Sequence, residues 1–203
     1  MRRSLLGFLT VVAIAGLLIM SGCEQSSVLR VVQVNNGRTL EADVADWGIW
    51  KDPEDPSATP FLVYTIQADT AEIELEYVEV GPGLPTLTPF EAIINQSTIT
   101  YKSLLDPEIT YKPVIIPLTT RVTSDPTGKK TTKFVTTVLP VWWKQEYFDG
   151  DVINPPDFDL LDVVEATIKF AGWDSVSGRV VEATGKLHIE IGNFYDNEQS
   201  FGR

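Results

Sequence analysis

Two stretches near the C-terminus decide the fold: Val163 to Phe170, VVEATIKF, and Val180 to Ile191, VVEATGKLHIEI. Apolar residues recur at every second position in both, which is the strand period. Val164, Ala166, Ile168 and Phe170 share one face of the first stretch. Val181, Ala183, Gly185, Leu187, Ile189 and Ile191 share one face of the second. Each stretch therefore has one face to pack and one to wet, the antiparallel pattern. Ala171 to Gly178, AGWDSVSG, lies between them as a loop, so the pair reads as a long hairpin. All 13 prolines lie between Pro53 and Pro156, none inside this hairpin. Proline breaks a central ladder, so a proline-free hairpin belongs in the middle of a sheet. The shared VVEAT is a chance likeness of two strands, because a true repeat needs more copies at a fixed period.

Upstream, the same alternation recurs. Glu72-Ile73-Glu74-Leu75-Glu76-Tyr77 sets three glutamates against three apolar side chains. Val28 to Val34, Phe61 to Ile66, Ile93 to Tyr101, Ile109 to Ile116 and Lys133 to Trp142 are further strand candidates, rich in β-branched and aromatic residues. The proline-rich middle predicts short strands, edges and turns, with loops at Lys51 to Pro60 and Gly81 to Pro89. Pro89 to Asn95 has room for one helical turn, and no segment carries a helical stripe. Seven to nine strands imply an all-β domain, an antiparallel β-sandwich of immunoglobulin-like type, with a β-barrel as the alternative.

The chain has 203 residues, a net charge of −12, one cysteine and one histidine. The acidic balance excludes nucleic acid as a partner, since phosphate binding needs a basic footprint. A lone cysteine excludes a disulfide framework, a thiol redox pair and a cysteine-based zinc site. No cofactor and no metal site is expected.

The N-terminus sets the address. Arg2 and Arg3 precede a nearly unbroken apolar run from Leu5 to Met20, which is shorter than the roughly 20 residues of a spanning helix. A basic start, an apolar run and small residues at its end form a secretory signal. Met20-Ser21-Gly22-Cys23 then resembles the lipobox of bacterial lipoprotein precursors, with Met20 where Leu is usual. The resemblance covers residues 1–23 and puts the one cysteine where the motif needs it. It implies that the Cys23 thiol takes a diacylglyceryl group, that the signal is cut before it, and that fatty acid such as palmitate also caps the new amine. A plain signal peptide or an uncleaved anchor is the alternative. Arg2-Arg3 matches the twin-arginine signal poorly, so general secretory export is expected. Glu24 stands where an aspartate would, in the enterobacterial pattern, retain the protein at the inner membrane; the outer membrane is favoured, with the inner membrane as the alternative.

Removing residues 1–22 takes two arginines and no acid, which leaves 181 residues with net charge −14. Contact with a membrane then falls to the acyl chains, two or more of which hold firmly. The expected organisation is a signal peptide at 1–22, the lipidated Cys23 and a short tether at 23–30, and one β-sandwich domain at 31–203. Residues 160–196 also resemble uncharacterised bacterial lipoproteins that end in such a hairpin, a resemblance that brings no known activity.

The chemistry expected of this domain is sparse. His188 alternates with Leu187 and Ile189 in the polar phase of the last strand, and no nucleophile elbow or phosphate loop accompanies it. No catalytic residue is assigned. Asp149, Asp151, Asp157, Asp159 and Asp162 form an acid-rich surface loop; clustered carboxylates there would suit a weak calcium site or, at further remove, a hydrolase pair. Trp142 and Trp143, followed by Tyr147 and Phe148, are the strongest binding signal. Read as a strand, they place one tryptophan in the core and one outside. Trp142 or Trp143 with Tyr147, Asp149 and Asp151 would make a saccharide platform of stacking rings and hydroxyl acceptors. Trp47 and Trp50 are read as core or loop anchors. The expected function is a noncatalytic envelope protein that binds or scaffolds a partner protein or polysaccharide.

Overall fold

The computed structural model describes residues 26–50, 52–55, 57–59, 61–80, 90–125, 130–148 and 159–194. The expected signal and lipidation site at 1–23, and Asp149 and Asp151, lie outside them. Ten strands and one α-helix fall within the described residues. The strands are β1 (Ser26–Val34), β2 (Leu40–Asp43), β3 (Asp46–Trp50), β4 (Phe61–Thr65), β5 (Asp69–Val80), β6 (Glu91–Ser103), β7 (Val114–Thr123), β8 (Thr131–Leu139), β9 (Asp159–Asp174) and β10 (Val180–Asn193). The helix, α1, spans Val141–Phe148. The all-β expectation holds.

The C-terminal hairpin is the centre of the larger sheet, ordered β2-β10-β9-β6-β7. β9 pairs antiparallel with β10 along its length and with β6 on its other side. A second sheet has the order β1-β5-β8, and β3 and β4 form a separate two-stranded ribbon. The sheets curl into a half-barrel, with β1 lying against β10 and β7 beside β8.

One interior serves both sheets. Ile73, Leu75 and Tyr77 of β5 join Ile94 and Ile99 of β6, Val164, Ile168 and Phe170 of β9, and Ile189 and Ile191 of β10 in a single buried cluster. Burying such side chains contributes about 1.5–3 kcal/mol each relative to exposure. The wet face of β5 is as the alternation requires: Glu72 and Glu74 pair with Lys133 on β8, and Glu76 with Arg30 on β1.

The chain crosses from one sheet to the other between β1 and β2. Asn35, Asn36 and Gly37 all have positive φ, at 48°, 52° and 70°. Asn and Gly tolerate this left-handed region, which other side chains avoid. The turn carries the chain from β5's side to β10, where β2 pairs parallel, Leu40 opposite Ile189.

Several expectations need correction. Lys133 to Trp142 is not one strand: β8 ends at Leu139, and Pro140 caps a helix, its carbonyl accepting from the Trp143 and Lys144 N–H groups at 3.0 and 3.2 Å. The absence of helix was therefore wrong for residues 141–148. The middle of the chain is not all short strands, because Glu91–Ser103 holds no proline and becomes the long inner strand β6. The strand expected at 109–116 starts at Val114 and runs to Thr123; its Pro117 is accommodated because β7 is an edge strand and sits beside a bulge in β6. Pro89 to Asn95 yields strand from Glu91 onward. The loop expected at 171–178 is shorter, since β9 continues through Gly172 to Asp174. β1 begins at Ser26, inside the segment 23–30 expected as a tether.

Candidate functional site

Helix α1 closes the end of the half-barrel at which β5 begins and β6, β8 and β10 finish. Successive helical residues point about 100° apart, so adjacent tryptophans still diverge. Trp143 is fully buried and Trp142 is 47% exposed. One tryptophan in and one out was expected, but from a strand rather than a helix. Trp143 sits among Tyr101, Tyr111 and Tyr147, with ring centroids 4.7, 4.9 and 5.1 Å away. Its Nε1 donates to the Lys112 carbonyl at 3.3 Å, and the Lys112 N–H donates to the Tyr147 hydroxyl at 2.8 Å. Trp143 and Tyr147 are thus joined to one another and to the β6–β7 connection, and Trp143 has no surface to offer a ligand. Among the described members of the expected platform, Trp142 alone stands well outside.

Under this aromatic layer lies a buried carboxylate. Asp162 of β9 is 2% exposed. It accepts from the Ser103 hydroxyl at 2.8 Å, the Tyr111 hydroxyl at 2.5 Å and the Val163 N–H at 2.7 Å. Burial, then the Asp162 bond and charge, pushes the Tyr111 hydroxyl far above its ordinary pKa. Burial does the same to Tyr101, whose hydroxyl donates to the Val138 carbonyl at 2.5 Å. Both tyrosines stay protonated and serve as donors. Asp162 was expected in a surface acidic loop; the strand carries it inside instead.

A buried cation completes this end. Lys144 of α1 is 1% exposed, pairs with Asp69 at 2.6 Å and donates to the Asp43 carbonyl. One lysine so ties the helix to the start of β5 and the end of β2. Burial pushes the Asp69 carboxyl up, Lys144 opposes this, and Asp46 adds to it.

The far end of β9 repeats the device. Asp174 is 1% exposed and takes the Tyr77 hydroxyl from the opposite sheet. Its other oxygen accepts the Ser177 N–H at 2.6 Å, the Ser177 hydroxyl at 2.9 Å and the Val176 N–H at 2.9 Å. Burial works against its ionisation, yet these donors together hold its carboxyl below the ordinary value. These two inner carboxylates accept three and four hydrogen bonds from fixed donors, which suits bracing rather than proton transfer. His188 stands on the outer face of β10, 56% exposed and 3.7 Å from Glu165.

Sequence reading missed this bracing. The signal was present: Asp162 and Asp174 fall in the same alternating phase as Val164 to Phe170, where an acid needs buried partners. Lys144 left no such sign. Among the described residues, no group of three or more His, Cys, Asp or Glu side chains is placed to hold a metal ion. No helix of the described residues is long and apolar enough to cross a membrane. Comparison with family models, curated proteins and solved structures returned no match, so the likeness of residues 160–196 to other lipoproteins gains no support from them.

Proposed function

We propose that this chain is a lipid-anchored, noncatalytic protein of the bacterial envelope, with an immunoglobulin-like β-sandwich as its exported body. The observation that carries the anchor is in the sequence: the one cysteine, Cys23, follows an apolar run and the small residues Ser21 and Gly22. Strand order supports the fold assignment. β1-β5-β8 follow the A-B-E order of an immunoglobulin sheet, and β10-β9-β6-β7 the G-F-C-C′ order of its partner, without the disulfide that often joins them. The inner carboxylates Asp162 and Asp174 are engaged by tyrosine and serine hydroxyls, which favours a rigid scaffold over a hydrolase.

In this reading the acyl chains hold the domain at a membrane, the outer membrane by the Glu24 pattern, and its loops meet a partner protein or polysaccharide. The exposure of Trp142 keeps a carbohydrate-binding role as the second reading, now resting on that ring without Trp143.

Metabolic labelling with palmitate tests the anchor: label is expected in the native protein and absent from Cys23→Ala, and label that survives the substitution sinks the proposal. A glycan array on the body of the protein tests the second reading. Binding lost on Trp142→Ala supports it; binding unchanged by that substitution removes it.

A further inference from the structure

The geometry points to the tip of the β9–β10 hairpin as a membrane-contacting edge, with Trp173, Val176 and Val180 dipping into the interface of the bilayer that holds the acyl chains. This rests on the lipid-anchor reading above and adds an orientation to it.

Direction comes first. β5 runs from Asp69, at the helix-capped end beside Lys144, to Tyr77, which bonds Asp174 at the opposite end. β1 is antiparallel to β5, with Ser26 opposite Val80 and Val34 opposite Ile73. The chain therefore enters the domain at the Asp174 end. A second contact fixes the level. A Cβ placed on Gly185 would lie 2.9 Å from side-chain atoms of Val31 and Val34, so β1 rides closely on β10 there. Ser26 precedes Val31 by as many residues as Val180 precedes Gly185, and the two strands run the same way. The first residue of β1 and the start of β10 so reach the same height.

Covalent reach comes next. Cys23 is three residues before Ser26, and extended chain spans at most about 3.6 Å per residue. An acylated Cys23 therefore lies within roughly 11 Å of the strand end. That is much less than the roughly 40 Å spanned by a 13-residue strand such as β6, so the end holding the hairpin tip faces the lipid.

The surface there has the right chemistry. Trp173 is 40% exposed, Val176 62% and Val180 75%. Val180 stands opposite Trp173 on the outer face, and Val176 sits in the turn between Ser175 and Ser177. Tryptophan settles at the headgroup level and valine in the apolar layer beneath it. Two acids at this end are engaged: Asp174 is buried and bonded, and Glu91 pairs with Arg121 at 3.7 Å. The same three residues on a domain in open solution would be an apolar tip without a partner.

The test uses the full chain, purified from bacterial membranes and returned to phosphatidylethanolamine–phosphatidylglycerol vesicles that carry a nitroxide lipid. An acylated Cys23 has no thiol, so Val176→Cys and, at the opposite end, Leu105→Cys each offer one site for an environment-sensitive fluorophore. Circular dichroism confirms that each variant keeps its fold, and mass spectrometry reads the acylation of Cys23. Lipid quenching several-fold stronger at 176 than at 105, with a blue-shifted emission, is the expected result. Equal quenching at both sites on acylated protein overturns the orientation and leaves the anchor standing. An unmodified Cys23 overturns the anchor and the orientation together.

Discussion

The Tyr77 hydroxyl donates to the Asp174 carboxylate across the interior, from β5 of one sheet to the end of β9 in the other. A charge-assisted bond between buried partners is worth more than an exposed one, and its loss strands the partner left behind. Tyr77→Phe and Asp174→Ala should each destabilise the domain, the second by about 3 kcal/mol because four donors lose their acceptor. Urea denaturation of the two single variants and the double variant should show a positive coupling of about 1–2 kcal/mol. Strict additivity would mean that the bond does not join the sheets energetically.

The same carboxylate sets an acid limit. The folded carboxyl of Asp174 is held below its ordinary value of 3.8, so the unfolded chain takes up this proton first as the pH drops. Its stabilising contribution is complete above that ordinary value and is lost as the pH falls through the folded one. Asp174→Asn should lower stability at neutral pH and flatten the acid side of the stability profile. An acid side as steep as that of the native protein would refute the assignment.

Lys144 and Asp69 form the buried pair that holds α1 on the barrel end. Replacing Lys144 alone by Met leaves Asp69 without its cation and should cost about 3–5 kcal/mol. Adding Asp69→Leu should restore much of that loss, since apolar replacement of a whole buried pair is often neutral. Thermal unfolding of the single and double variants measures both. A double variant no more stable than Lys144→Met would show that the carbonyl of Asp43, not the ion pair, is what needs the lysine.

Two glycines should differ in how much they tolerate. A Cβ on Gly172 would meet the Ile93 carbonyl oxygen at 2.0 Å, whereas one on Gly185 meets valine side chains at 2.9 Å. Backbone cannot step aside as methyl groups can, so Gly172→Ala should cost about 3–5 kcal/mol and Gly185→Ala about 1–3. Equilibrium unfolding ranks them, and the reverse order would contradict the close pairing of β9 with the bulged part of β6.

The neighbouring tryptophans should separate completely. Trp143→Ala empties the aromatic layer of Tyr101, Tyr111 and Tyr147 and should cost about 3–5 kcal/mol. Trp142→Ala should change stability by less than about 1 kcal/mol, since half its surface already meets solvent. Similar losses in both variants would place Trp142 in the core as well.

Much of the sheet body was legible in the residues. Val163 to Phe170 and Val180 to Ile191 read as a central hairpin and are one, because alternation records which face packs regardless of the partner. Glu72 to Tyr77 read correctly for the same reason. The helix at 141–148 was not legible: eight residues with apolar side chains on several sides have no stripe, and a β-branched strand ran into them. Its start is set by Pro140 and its place by Trp143 and Lys144, whose partners are distant in the chain. The short β2 and β3 were missed because LEAD carries two acids in four residues and DWGIW holds Asp46 and Gly48, residues poor in strands, whereas the equally short β4 is FLVYT.

By itself the sequence determined the all-β character, the packed faces of Glu72 to Tyr77 and of the C-terminal hairpin, and the lipobox resemblance at Cys23. These depend on residues next to one another, and local spacing carries them. Tertiary structure alone decided that Asp162 and Asp174 are inner braces, that Trp143 is core while Trp142 is surface, and that β1 enters at the end where Trp173, Val176 and Val180 stand exposed. Each of those depends on which strand lies opposite which, and pairing between residues as far apart as Tyr77 and Asp174 leaves no mark in local spacing.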